Sequence, residues 1–382
     1  MLNYQKYMDM LKDAICINTV NPPGNEEALA AYLYKFFEKE GIKVWTERIA
    51  PNRQNIIAKI DGLSSSAPLV FCGHLDTVPI GTEQWTNNPF EALICGGRIY
   101  GRGAADMKSG LVAMACAMSE IKRSSKLPPQ DIYFIGTCGE EVDGCGARLI
   151  MQTHDLSRCG LLIIGEPTDC DVIVRQKGAA WVKVTIKGKT AHGSMPQYGV
   201  NALDFTGRLI QDLLRDRPQW EKTSDHVLGH ATFSLNQIQG GSAPNMVADQ
   251  CDLLIDFRLV PGQTLAEPLH FLRQRCESLV ACSPGIRFSV ETRHYMKPVA
   301  SNRELPVIEA AIAYNQRLTH KEYKERGLNF YTDASVLSET MNCPIMFYGP
   351  GDDKMAHQTN EFVLVFDFLR SISFYVEMAF HQ

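Results

Sequence analysis

A chain of 382 residues is too long for one ordinary hydrophobic core, so two domains are expected. With 45% hydrophobic and 21% charged residues, the composition is that of a globular protein and not of a disordered one. The formal net charge of −5, without any run of Lys and Arg, argues against a nucleic-acid partner, and no apolar stretch reaches the roughly 18–20 residues that span a bilayer.

The first twenty residues, MLNYQKYMDMLKDAICINTV, are interrupted by Lys6, Asp9, Lys12 and Asp13 and lack the apolar centre of a secretory signal. The twelve cysteines are scattered, form no CxxC pair and read as reduced thiols, many of them buried. Together these features predict a cytoplasmic protein.

Residues 26–40 carry apolar side chains at helical spacing and stop at Gly41, a natural helix end. Residues 42–48 alternate, with Ile42, Val44 and Thr46 on one side. The runs 54–60 and 69–72 read as strands, the second apolar on both faces. Ser64 to Ser66 reads as a loop. A helix of small residues is predicted over 109–121, with strands at 131–137 and 161–165. Strands alternating with helices predict an α/β fold with a mostly parallel sheet.

From about residue 179 the rhythm changes. Strand 179–189, helix 200–216, strands 231–241 and 251–260, helix 264–280 and strand 285–293 give the order βαββαβ, a ferredoxin-like unit inserted into the α/β domain. The α/β pattern resumes with a helix near 305–316, a strand near 344–348 and a helix over 361–379.

Acids and histidines stand beside strand ends. His74 and Asp76 follow the run 69–72; at strand spacing they point the same way, and a carboxylate there could hold one imidazole nitrogen while the other binds a metal. Asp106 lies in GRGAADMK before a helix, Glu140 and Glu141 follow strand 131–137, and Glu166 follows LLIIG. His357 lies just before the last helix. Each alone has an ordinary reading as a capped strand end, a first-turn carboxylate, an acidic loop or a turn. Jointly they matter, because a doubly wound sheet gathers the carboxyl ends of its strands along one edge, and these groups suit a divalent ion.

Over essentially its whole length the sequence resembles the family of aminoacylase, acetylornithine deacetylase, succinyl-diaminopimelate desuccinylase and glutamate carboxypeptidase. The resemblance rests on GHLDTVP at 73–79, WTNNPF at 85–90, GRIYGRGAADMKSG at 97–110, GEEVDGCGA at 139–147, GEPT at 165–168, TAHGSMPQYGVNA at 190–202, GGSAPN at 240–245, DFR at 256–258 and GPG with AHQTNE at 349–361. It implies a metallopeptidase-like catalytic domain formed by residues 1–178 and 294–382. It also implies that the inserted domain, residues 179–293, is a lid and carries a homodimer contact.

The resemblance further implies two divalent metal ions, zinc first and cobalt or manganese as alternatives. His74 and Glu166 would ligate one, Glu141 and His357 the other, and Asp106 would bridge them. Asp76 would orient His74, and Glu140 would be the general base. His192, supplied by the partner subunit, would stabilise the oxyanion once the domains close about junctions near 178 and 293. Asn245 and Arg258 match positions that hold substrate; Arg258 suits a substrate carboxylate, although a salt bridge with Asp256 is an equally ordinary role for it.

The expected activity is hydrolysis of the amide of a small N-acyl amino acid. Succinyl-diaminopimelate desuccinylase stands first, acetylornithine deacetylase second and a dipeptidase third. One departure bears on the order: some desuccinylases have Arg where this chain has Lys177, and a further Arg just after the segment matching Thr332-Asp333-Ala334. A catalytically inactive metal-binding homologue is the reading from another class; the survival of Glu140 and all five ligand residues counts against it. A serine hydrolase would require a GxSxG elbow, which the chain lacks.

Overall fold

The computed structural model describes residues 4–64 and 66–381; of the loop predicted at Ser64 to Ser66, Ser65 lies outside the described residues. The chain divides into two compact units. One comprises residues 1–174, 301–325 and 332–382, the other residues 175–300 and 326–331.

The larger unit is built on a six-stranded sheet. In spatial order its strands are Lys43–Ala50, Arg53–Ile60, Ile132–Thr137, Leu69–His74, Leu161–Ile164 and Ile345–Phe347. The last four run parallel, and the first two form an antiparallel hairpin at one edge. Strand Leu69–His74 is buried at every position, which explains its unbroken apolar run.

Helix Lys108–Arg123 packs against this sheet and against the helices Tyr4–Cys16 and Val365–Phe380. Its sequence is rich in Gly, Ala, Ser and Cys because there is no room for more. A Cβ on Gly110 would lie 1.9 Å from the carbonyl oxygen of Gly165, the residue just before Glu166. Close packing of helix and strand end is therefore a condition for placing Glu166 where it is. Helix Glu26–Lys39 ends as its sequence predicts: Gly41, at φ +67°, donates to Glu38 and Ile42 donates to Phe37.

Two predicted elements need correction. The last helix begins at Val365 and not at 361, because Phe362–Leu364 is a short strand paired antiparallel with Arg98–Tyr100. The first strand runs Lys43–Ala50, beyond the predicted end at 48, since the hairpin pairing carries it on to Ala50 opposite Arg53.

The smaller unit has strands Gly178–Lys187, Thr232–Gly240, Gln250–Leu259 and Arg287–Met296, with helices Ala202–Trp220 and Ala266–Val280. All neighbouring strands are antiparallel. Numbered along the chain, their spatial order is 2-3-1-4, the ferredoxin-like arrangement. Its boundaries lie outside the 179 and 293 read from the sequence. Val299–Ala300 pairs with Arg175–Gln176, and Leu328 exchanges backbone hydrogen bonds with Arg175 and Lys177, so residues 326–331 join this unit as well. Pairing across distant segments leaves no local signal.

All twelve cysteines are free, and seven are buried. Among the described residues, no helix is long and apolar enough to cross a membrane.

Candidate metal centre

Three parallel strands deliver side chains to one edge of the larger unit. His74 is the last residue of Leu69–His74, Glu140 and Glu141 follow Ile132–Thr137, and Glu166 follows Leu161–Ile164. Asp106 comes from the loop before helix Lys108–Arg123, and His357 from the loop before strand Phe362–Leu364.

Asp106 lies between the two histidines. Its Oδ1 is 3.0 Å from His74 Nε2, and its Oδ2 is 3.4 Å from His357 Nε2. Glu166 Oε1 stands 4.0 Å from His74 Nε2, and Glu141 Oε2 stands 3.1 Å from His357 Nε2. The five groups thus form two halves, His74 with Glu166 and His357 with Glu141, joined through one carboxylate. Single ligand atoms of His74, Asp106 and Glu141 all lie within 4.8 Å of one another.

Burial pushes the carboxyls of Glu140 and Glu166 well above the ordinary glutamate range; neighbouring carboxylates add to this and His74 opposes it. Glu141 is raised too, by burial first and then by Asp106. Burial also works against Asp106, yet hydrogen bonds with His357 and His74 hold it below the usual range. His357 is pushed up to about 10 by its hydrogen bonds with Asp106 and Glu141. So many buried acids draw in positive charge.

Divalent cations fit this donor set. Imidazole nitrogens and carboxylate oxygens are the ordinary ligands of zinc and similar ions. The buried Glu141 Oε1 has no hydrogen-bond partner among the described residues, which leaves a lone pair to be satisfied.

Asp76 meets His74 chiefly through its backbone. His74 Nδ1 is 2.9 Å from the backbone carbonyl of Asp76, and 3.6 Å from the Asp76 carboxylate. The strand ends at His74, so the same-side geometry of a continuing strand is lost, and the carboxylate is engaged elsewhere. Its Oδ1 accepts the backbone N–H groups of Gly139 and Glu140, and its Oδ2 accepts those of Glu141 and the amide of Asn21. Asp76 therefore anchors the loop that carries Glu140 and Glu141.

Other residues of the centre were passed over in the sequence. Asp333 is fully buried and accepts from Thr137, while its Oδ1 lacks a partner among the described residues. Asn21 lies in an Asn-Pro-Pro-Gly turn, a loop signal that points to no chemistry by itself. Arg102 and Glu361 form a buried ion pair at 2.7 Å.

In the smaller unit, His192 is exposed and its Nδ1 lies 2.7 Å from Ser194 Oγ. Its segment pairs with that of Asn245: Gly193 donates to the Asn245 carbonyl, and His192 is bridged to Met246. His192 and Asn245 are thus brought together, at the end of the sheet where Lys187 faces Gln250. Arg258 is at the other end, opposite Ala179. Eight residues of strand separate the two ends, roughly 27 Å. Arg258 donates to Asp256 Oδ2 at 3.0 and 3.2 Å, the ordinary salt bridge weighed against its binding role.

A sequence model described as peptidase family M20/M25/M40 matches residues 70–381. The chain is 30% identical to a probable succinyl-diaminopimelate desuccinylase of Staphylococcus epidermidis, over 99% of this chain and 98% of that one. It is 32% identical to an acetylornithine deacetylase of Proteus mirabilis, over 89% and 86% of the two chains. Among solved structures, aminopeptidase PepT from Bacillus cereus superimposes with a TM-score of 0.79 at 20% identity, covering 99% of this chain and 98% of that one. A dinuclear metal-binding peptidase of the M20 family from Bacillus subtilis gives 0.75 at 15% identity, covering 98% and 97%. These two likenesses bear on the fold alone.

Proposed function

The chain belongs to peptidase family M20/M25/M40 and is a hydrolase of that family, and on that premise we propose that it is a deacylase cleaving the amide bond of a small N-acyl amino acid. The observation that carries the reading is Asp106, whose two oxygens face two histidines, each with a glutamate beside it.

His74 and Glu166 would hold one divalent ion and His357 and Glu141 a second, with Asp106 shared. Zinc is the first choice, and cobalt or manganese the alternatives. When bound, such a pair lowers the pKa of the attacking water and polarises the amide carbonyl. Glu140 then takes the proton from that water and hands it to the departing amine. Its burial favours proton uptake, and the grip of Asp76 on its backbone fixes its position.

His192 donates to the oxyanion, and Asn245 and Arg258 hold substrate. The distance along the sheet between the His192–Asn245 end and Arg258 supports a homodimer in which each site draws these groups from two chains. Strand Thr232–Gly240 lies at the outer edge of its sheet, and Ile238, Leu203 and Leu214 are exposed, which gives such a contact an unpaired edge and apolar surface.

Succinyl-diaminopimelate desuccinylase is the first substrate assignment, because that likeness spans nearly the whole of both chains. Acetylornithine deacetylase is the second. It is favoured by Lys177, which stands where some desuccinylases have an Arg suited to a second substrate carboxylate.

The test is a panel of N-succinyl, N-acetyl and dipeptide substrates compared by kcat/KM, before and after chelation. The expected result is a preference of at least about tenfold for an N-acyl amino acid, since such a ratio is worth about 1.4 kcal/mol. Activity should disappear on chelation and return with Zn2+ or Co2+. Full activity after exhaustive metal removal would falsify the reading.

A further inference from the structure

The ligands Asp106 and His357 sit on the segments Gly101–Asp106 and His357–Glu361, neither of which is regular helix or strand. A binding site of this kind works only if its ligand atoms are held to within about 0.5 Å. Something other than secondary structure must supply that precision.

Glu361 is wholly buried. Its Oε1 accepts the N–H groups of Ala105 at 2.7 Å and Asp106 at 2.9 Å. Its Oε2 accepts Gly103 at 3.1 Å and Arg102 Nη1 at 2.7 Å. Its own carbonyl accepts the N–H of Gly101 at 2.9 Å. Arg102, 2% exposed, continues the chain of contacts. It donates to the carbonyls of His357 at 3.4 Å, Gln358 at 3.3 Å and Pro79 at 3.2 Å.

We propose that Arg102 and Glu361 are a positioning pair that fixes Asp106 against His357, so that metal affinity depends on a buried salt bridge outside the ligand set. The inference rests on the two-ion reading of the centre.

The residue types are specific to the task. Four N–H donors converge on two oxygens, and a glutamine would turn an amide NH2 against two of them. One planar fork serves a carboxylate and three carbonyls, and a lysine amine lacks that spread. Stability is a poor explanation for the pair, since a buried ion pair is often no better than an apolar pair of similar volume. What the pair supplies is a fixed distance between two loops that are about 250 positions apart in the chain.

The experiment measures Zn2+ and Co2+ affinity by competition with a chromophoric chelator, together with the Co2+ absorption spectrum and the melting temperature of metal-free protein. The proteins are wild type, Glu361→Gln, Arg102→Lys, Arg102→Met and the double variant Arg102→Met/Glu361→Leu. The double variant leaves no buried charge without a partner, so it keeps the test open if a single variant fails to fold. Folded variants should bind at least one ion roughly 10–100-fold more weakly, with a changed cobalt spectrum, and kcat should fall more than KM rises. Arg102→Lys should recover part of what Arg102→Met loses.

A folded variant with wild-type affinity for both ions and only a lower melting temperature overturns the positioning role and leaves the functional reading intact. Wild-type protein that takes up no ion overturns both.

Discussion

The carboxylate of Asp76 accepts the backbone N–H of Glu140 at 3.2 Å, and those of Gly139 and Glu141 at 3.1 and 3.2 Å. A single buried side chain thereby holds three consecutive residues of the loop that carries the proposed base and one proposed ligand.

Replacing Asp76 by Ala leaves these donors and the Asn21 amide without their acceptor in a buried site. The expected cost is about 1–3 kcal/mol of folding stability, with a loss of kcat larger than any rise in KM. Chemical denaturation and steady-state kinetics check both. Unchanged kinetics at reduced stability would show that the loop keeps its place without the anchor.

Glu140→Gln removes the proton acceptor and keeps the shape. Turnover should fall by roughly 10²–10⁴-fold, the usual worth of a positioned general base, while metal content stays at the wild-type value. Near-normal turnover would transfer the role of base to another group.

Because His192 and Arg258 lie at opposite ends of one sheet, subunit mixing is a direct test of a shared site. Inactive His192→Ala protein mixed with inactive Glu140→Ala protein should regain activity as subunits exchange, because some mixed dimers hold one intact site. Proven exchange with no recovery counts against a contribution in trans.

Asp225 gives the smaller unit an acid-sensitive tie. Burial opposes its ionisation, but the N–H groups of Leu228 and Val227, with Arg175 beside them, hold its carboxyl below the ordinary aspartate value. A depressed carboxyl contributes stability that is present above its unfolded value and is lost as pH falls through the folded one. Asp225→Asn should therefore cost about 1–3 kcal/mol near pH 7, and progressively less as pH falls from about 4, the unfolded aspartate value, through the lower folded one. Melting curves of the two proteins across that range decide it; a constant difference would assign the stabilisation to shape and not to charge.

Much of the architecture was legible in the sequence because it is periodic and local. The run Leu69 to Cys72 is apolar throughout because both faces of its strand are covered. Gly41 marks a helix end because the chain turns there through positive φ. The βαββαβ order follows from alternation and spacing within one continuous segment. The side chains at the sheet edge were legible for a related reason. Each sits within a few residues of a strand end, and parallel strands place such ends together.

Only the tertiary structure decided how those groups meet. The order of strands in the sheet and the convergence of His357 with Glu141 depend on contacts between segments far apart in the chain, 216 positions in the second case. It showed that Asp76 grips a neighbouring loop and leaves His74 to a backbone carbonyl, a choice settled by where one strand stops. It showed Glu361 to be an acceptor for the Asp106 loop when its position in the chain suggested the start of a helix. Sequence spacing records which atoms are near along the chain. Hydrogen bonds to buried backbone groups are set by which surfaces pack, and that information exists only once the chain has folded.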